Sequence, residues 1–354
     1  MKTDECVTGL KGSGNRNLRI KERTDERTMK EIKDVKRTDF LSRLPLPITA
    51  VSLSLASLGN LLEPYSEGIR LFCGGLAFVL LFAFFVKILR YPRLFKEDMK
   101  NPVMASVFCT FSMTIILLSA YIRPYLGSAA AVIWYFGIGL HTVLVLYFTW
   151  NFMRKPVFSR VYACYFIGYE GFVTASVTAE KFDALAVGQA AFWFGFCMLF
   201  VLIPFITYRY VTLPQVEDPA KPLFCIYTAP PGLCLTGYLH AFPEPSPVIA
   251  GFLTVLCLFM YTMVCSRLPG FLRLPFYPSY ASFTFPFVIS ATGITLMGEY
   301  LHKIGFPVFV LDLIGRVQTA AAVVLISYVL LRFILYTADY HGTHTSAAAR
   351  RRAA

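Results

Sequence analysis

Two ionisable side chains stand where water should be scarce. Glu170 interrupts YFIGYEGFVTASVTA, and His141 interrupts VIWYFGIGLHTVLVLYF; both runs are otherwise uncharged. A carboxylate at membrane depth is costly to keep, and is as a rule either paired or functional. Glu170 therefore has three readings: a buried structural hydrogen bond, a protonated carboxyl, or a station on a proton-coupling route with His141 as its partner. A permanently ionised Glu170 would repel an anion passing beside it.

A second chemistry-bearing stretch is Ser279–Gly298, SYASFTFPFVISATGITLMG. It is uncharged and spans about 30 Å as a helix of about 20 residues. Ser282, Thr284, Ser290, Thr292, Gly293 and Gly298 are small or hydroxylated. Pro286 removes a helical hydrogen bond and kinks the run. In lipid such a break is tolerated where protein or a water-filled cavity satisfies the backbone. This predicts a helix lining a pore, with Phe285, directly before the break, obstructing it by bulk and dewetting. The plain alternative is one of 33 phenylalanines packing a bundle. Asp312 and Arg316, four apart, suit an ion pair on one helix face.

Other chemistries lack their residues. The nine cysteines form no CxxC pair and no Cys/His cluster with metal spacing, and eight lie in or beside apolar runs as small hydrophobes. There is no GxxxxGK[ST] phosphate loop, and no GxSxG or HExxH. No enzyme, cofactor or metal is expected.

The elements that must hold these residues are membrane helices. The chain is 56% hydrophobic and 15% charged, against about 25% charged in soluble domains. Its net charge of +12 falls between apolar runs rather than on one face, which argues for the positive-inside bias and against nucleic acid. Residues 1–40 form a polar leader with 11 Lys/Arg and 8 Asp/Glu. It has no signal-peptide h-region, is expected to be a partly disordered cytoplasmic tail, and carries a candidate helix at Glu22–Arg37. Ten apolar segments follow, at about 44–62, 70–89, 103–122, 129–151, 160–179, 185–208, 222–241, 247–266, 279–298 and 308–336. They make a channel domain at 41–338, ahead of a short basic tail at 339–354. Alternate loops hold 12 and 4 basic residues, which puts both termini in the cytoplasm.

The odd segments are rich in small and hydroxyl residues; the even ones are bulky. Small residues allow close helix approach and hydroxyls tolerate water. The predicted fold is all-α and integral to the membrane: five hairpins around an axis, odd helices inside and parallel, even helices facing lipid.

Pieces spread from about 44 to 336 carry a likeness. They are LPLPITAVSLSLASLGNLL from Leu44, KNPVMASVF from Lys100, YFIGYEGFVTASVTA from Tyr165, KPLFCIYTAPPGLCLTGYL from Lys221 and SFTFPFVISATG from Ser282. In their order and spacing the chain resembles the tellurite-resistance/dicarboxylate transporter family, which includes the bacterial tellurite-resistance channel and the plant slow anion channel. The resemblance implies ten transmembrane helices as five hairpins in quasi-fivefold arrangement around a central pore, a homotrimer, and a phenylalanine gate matched here by Phe285. Phe172 is a second ring candidate, with Phe108, Phe111 and Phe224 behind it. Thr284, Pro286, Pro230 and Pro231 are further candidates for the lining. Relatives often place an aromatic near the start of the first inner helix, where this chain has Thr49, and show one proline where TAPPG has two.

The expected function is an anion channel or uniporter in the plasma membrane, passing small anions. The alternative is a proton-coupled carrier of a C4-dicarboxylate, sulfite or tellurite. Anions would be favoured by helix N-termini, hydroxyls and basic mouths rather than by a central cation.

Overall fold

The computed structural model describes residues 40–352, with side chains described through Ala338. The leader and its candidate helix at Glu22–Arg37 lie outside the described residues. The described residues form helices joined by short turns and loops, without a strand. In chain order the α-helices are α1 (Phe40–Arg43), α2 (Ile48–Leu62), α3 (Glu67–Arg90), α4 (Pro92–Asp98), α5 (Pro102–Leu126) and α6 (Ser128–Phe148). They continue as α7 (Tyr165–Glu170), α8 (Val173–Thr178), α9 (Leu185–Thr212), α10 (Ala229–Ala241), α11 (Pro247–Leu272), α12 (Phe285–Lys303) and α13 (Phe309–Arg352).

Seven helical stretches are long and apolar enough to cross a membrane. The other expected spans are short or interrupted, for local reasons. α2 has only 15 residues and starts after Pro45 and Pro47. The fifth span breaks between α7 and α8 at Gly171 and Phe172. The seventh runs as a 3-10 helix, Asp218–Thr228, before α10 begins at Ala229-Pro230-Pro231, where two successive residues lack an N–H. The ninth, Pro278–Lys303, is one of the seven but breaks at Thr284 (φ −107°, ψ −90°), which separates a 3-10 turn, Pro278–Phe283, from α12. Pro286 thus starts a helix rather than kinking one, and Phe285 is its first residue. The start of α5 is capped by a side chain: Asn101 Oδ1 accepts from Val103 N at 2.9 Å, ahead of Pro102 at the first helical position.

Burial separates two classes. In the apolar windows of α5 and of Pro278–Lys303, 78% and 83% of residues are buried, against 33% in those of α3, α9 and α11. Phe72, Phe78, Phe136, Val248 and Val255 stand exposed on the second class, as lipid contact requires. Each half-exposed helix packs on the buried helix before it in sequence: α3 on α2, α6 on α5, α9 on α8, α11 on α10, α13 on α12. The buried helices also pack on one another, α2 on α5, α5 on α7 and α8, α8 on α10, α10 on α12, and α12 back on α2.

Hydroxyls on the buried helices do not mainly face water. Ser52 Oγ donates to Ala77 O (2.6 Å), Ser176 Oγ to Gly188 O (2.7 Å) and Ser290 Oγ to Thr228 O (2.8 Å). Trp134 Nε1 donates to Thr178 Oγ1 at 2.8 Å. These bonds stitch neighbouring helices together where no water competes. Two basic residues counted for orientation are likewise structural. Lys87 Nζ donates to Leu44 O at 2.6 Å, and Arg209 donates to Leu213 O and Ser159 O.

Candidate functional site

Two cavities lie among the buried helices. The first has a volume of about 60 Å³, room for only a few waters. Its wall is drawn from five places in the chain: Pro47, Ala50 and Leu53; Val103, Val107, Thr110 and Met113; Ile167 and Glu170; Ile226, Pro230 and Leu233; Ser282, Phe285 and Pro286. The second, about 280 Å³, takes the next turns of the same helices. Its wall includes Ser57 and Asn60, Leu117, Thr174 and Thr178, Leu233 and His240, and Phe285, Ile289, Thr292 and Glu299.

The steps are three or four residues, so one face of each helix runs from the first cavity into the second. Only Phe285 and Leu233 belong to both walls. Phe285 is 7% exposed and Leu233 2%. A phenyl ring and an isobutyl group therefore stand between the two spaces.

The first cavity is nearly all apolar, but three buried polar atoms on the two walls have no partner: Glu170 Oε1 and Ser279 Oγ on the first, Thr174 Oγ1 on the second. Glu170 Oε2 accepts from Cys234 Sγ at 3.4 Å. Helices α10 and α12 have their N-terminal ends at the wall of the first cavity, through Ala229, Pro230, Phe285 and Pro286. Pro230, Pro231 and Pro286 remove N–H groups from those same ends. The second cavity opens among Glu63, Lys181, His240 and Glu299. Arg70 pairs with Glu67 at 2.7 Å and reaches Glu63 at 3.6 Å, which offsets the Glu63 charge.

Several expected positions lie elsewhere. Phe172 sits at the break between α7 and α8 and turns outward onto His141 and Phe194, with ring centroids at 4.8 and 5.0 Å. Phe108 and Phe111 stack on each other at 5.3 Å and face Phe84; they lie one step round α5 from Val107 and Thr110. Phe224 packs with Tyr210, Tyr227 and Phe271. In each case a large ring finds partners behind the buried helices, while smaller side chains take the cavity face.

Thr49 is fully buried against Thr110 Oγ1 at 2.7 Å, Thr284 bonds back to Ala281 O, and Pro231 is outside both walls. Pro230 and Pro286 are in the first.

Glu170 and His141 are not brought together. His141 Nε2 meets the Gly168 carbonyl at 2.9 Å, so it carries the proton there, and Nδ1 meets Ser112 Oγ at 2.8 Å. The imidazole fills the space beside Gly171, where a Cβ would lie 2.6 Å from its Cε1. It is a wedge holding the helix break. Asp312 and Arg316 do not pair either. Asp312 Oδ1 lies 2.7 Å from where a Gly298 Cβ would stand, so its short side chain is drawn onto α12, while Arg316 extends into the open. Among the described residues no group of three or more His, Cys, Asp or Glu is placed to hold a metal.

Leu233 was not singled out from the sequence. Its signal was present: Ile226, Pro230, Leu233 and His240 recur at helical spacing, in register with Ser282, Phe285, Ile289 and Thr292.

A comparison with curated proteins returns no match. A comparison with protein families matches residues 43–334, from before α2 well into α13, to the voltage-dependent anion channel family, SLAC1. The match covers both cavities and every helix around them, and the chain is a multi-pass membrane protein that belongs to this family.

Proposed function

We propose that the chain is an anion channel or uniporter of the slow-anion-channel type. Its ten spans form five hairpins in quasi-fivefold arrangement around a central pathway, which Phe285 closes. The observation that carries this reading is the pair of cavities, lined by successive turns of the same helices and meeting only at Phe285 and Leu233. In this reading both termini lie in the cytoplasm, the protein sits in the plasma membrane, and three copies assemble with one pathway each. No single cation binds the permeant ion. Helix ends and rim charges favour anions weakly, and weak binding is what conduction needs.

The test is reconstitution into liposomes with imposed gradients of chloride, nitrate, malate, sulfite or tellurite. A channel moves the anion down its electrical gradient without changing lumenal pH. Absence of flux for every anion in Phe285→Ala as well as in the parent, in protein shown to be folded, would sink the reading.

Lys181 is exposed on the rim of the second cavity, where a positive charge raises local anion concentration. Lys181→Glu is expected to lower anion flux about two- to fivefold at low ionic strength. The deficit should vanish near 1 M salt, where screening acts within about 3 Å. A deficit independent of salt would assign Lys181 a role other than steering.

The proton-coupled alternative has one observation in its favour, the unpartnered Glu170 Oε1 on the wall of the first cavity. A carrier would load and unload a proton there, without His141. Glu170→Gln keeps the shape and removes the titration. Under the channel reading it leaves the pH profile of flux unchanged. Under the carrier reading it abolishes the lumenal pH change that accompanies substrate.

A further inference from the structure

A space larger than both of these cavities lies away from the interior of the buried helices. It is a groove of about 680 Å³ on the membrane-facing side, between α3 and α6, with α5 as its floor. Phe78, Phe82 and Phe85 form one wall; Phe136, Leu140 and Val143 form the other. Phe108, Phe111 and Ile115 line its base. Phe82, Phe136 and Val143 are more than half exposed.

One end of the groove is chemically different. Lys96, on the short helix α4, is exposed and belongs to the groove wall. The neighbouring Glu97 is engaged with Lys100 at 2.6 Å, and no carboxylate pairs with Lys96 among the described residues. The same end carries the features of a membrane–water boundary. Trp150 is 69% exposed under the Arg154 guanidinium at 4.0 Å, and Tyr147 Oη donates to Met99 O at 3.1 Å. Indole and phenol rings favour that level of a bilayer.

We propose that this groove is a binding site for an anionic phospholipid of the leaflet next to the basic loops. One acyl chain lies along the aromatic cleft and the phosphate rests against Lys96. The charge selects the occupant. A second copy of the chain docking here would bury the Lys96 ammonium without a counter-charge, which is unfavourable, whereas a lipid phosphate meets it at the interface. A zwitterionic lipid fills the cleft equally well but brings its own cation to the headgroup. The site does not depend on which ion the protein passes. It touches the pathway through one element: α5 presents Phe108 and Phe111 to the groove and Val107 and Thr110 to the first cavity.

Native mass spectrometry of the full chain, released from micelles loaded with equal amounts of phosphatidylglycerol and phosphatidylcholine, tests this. The parent is expected to retain phosphatidylglycerol about fivefold over phosphatidylcholine. Lys96→Gln is expected to abolish that preference. Val143→Trp, which fills the cleft from its exposed wall, is expected to remove the retained lipid. Val255→Trp, equally lipid-facing on α11, should change nothing. Equal retention of the two lipids by the parent overturns the proposal, as does parental retention in Val143→Trp. A change in the number of copies per particle in Val143→Trp also overturns it, by making the groove an interface between copies. If Val143→Trp fails to fold, the Lys96→Gln preference decides alone.

Discussion

Phe285→Ala is expected to turn a nearly silent protein into a standing anion conductance, at least tenfold above the parent in voltage-clamped membranes. The ring and Leu233 alone are shared between the walls of the two cavities. Removing the phenyl joins a space of about 60 Å³ to one of about 280 Å³ and lets water bridge them. A hydrophobic constriction blocks ions by excluding that water rather than by charge, so a tenfold gain needs only about 1.4 kcal/mol off the barrier. Leu233→Ala should raise conductance less, because the larger ring remains, and the double variant should exceed either. Phe285→Tyr separates bulk from polarity: it keeps the volume and adds a hydroxyl that holds water. A parental current in Phe285→Ala would remove the ring from this role, and a Leu233→Ala effect larger than that of Phe285→Ala would move the closure to α10.

Much of this arrangement was legible in residue order. The alternation of small with bulky segments separates the buried from the half-exposed helices, because Gly, Ser and Thr permit close approach while Phe and Leu suit lipid. Pro286 marked the break beside Phe285. Two things were not legible. One was the direction in which hydroxyls point. Ser52, Ser176 and Ser290 look like pore lining because they are polar on buried helices, yet each bonds a backbone carbonyl of a neighbouring helix. In apolar surroundings an unmet hydroxyl costs more than one facing water, so packing claims them first.

The other was the direction of the rings. Phe108 and Phe111 are three apart and share a face of α5, but periodicity alone does not say whether that face looks inward or outward. Val107, Thr110 and Met113, one step round, take the cavity. The Glu170–His141 pairing failed for a related reason. Both lie at mid-span, but His141 is held by Ser112 and the Gly168 carbonyl, contacts that depend on the break at Gly171.

Gly232→Ala is expected to destabilise the protein by about 3 kcal/mol, at the upper end of overpacking costs, and to lower its thermal midpoint in detergent by several degrees. The sign is the informative part. On helix propensity alone, replacing Gly by Ala in a helix stabilises by about 1 kcal/mol. At Gly232, however, a Cβ would stand 2.8 Å from Ser290 Cα, 3.0 Å from Ser290 N and 3.1 Å from Ile289 O. All three are backbone atoms, so no rotamer change relieves the contact, and α10 and α12 must separate. That separation also strains the Ser290 Oγ bond to Thr228 O and shifts Phe285 and Leu233 relative to each other, since they sit on these same two helices. Gly139→Ala is the matched control: a Cβ there, on α6, meets nothing within 4 Å, so the propensity gain stands alone and stability should hold or rise. The two variants therefore move in opposite directions if α10 and α12 touch backbone to backbone. If Gly232→Ala is as stable as Gly139→Ala, that close approach does not exist in the membrane protein, and the closure assigned to Phe285 and Leu233 loses the frame that positions it.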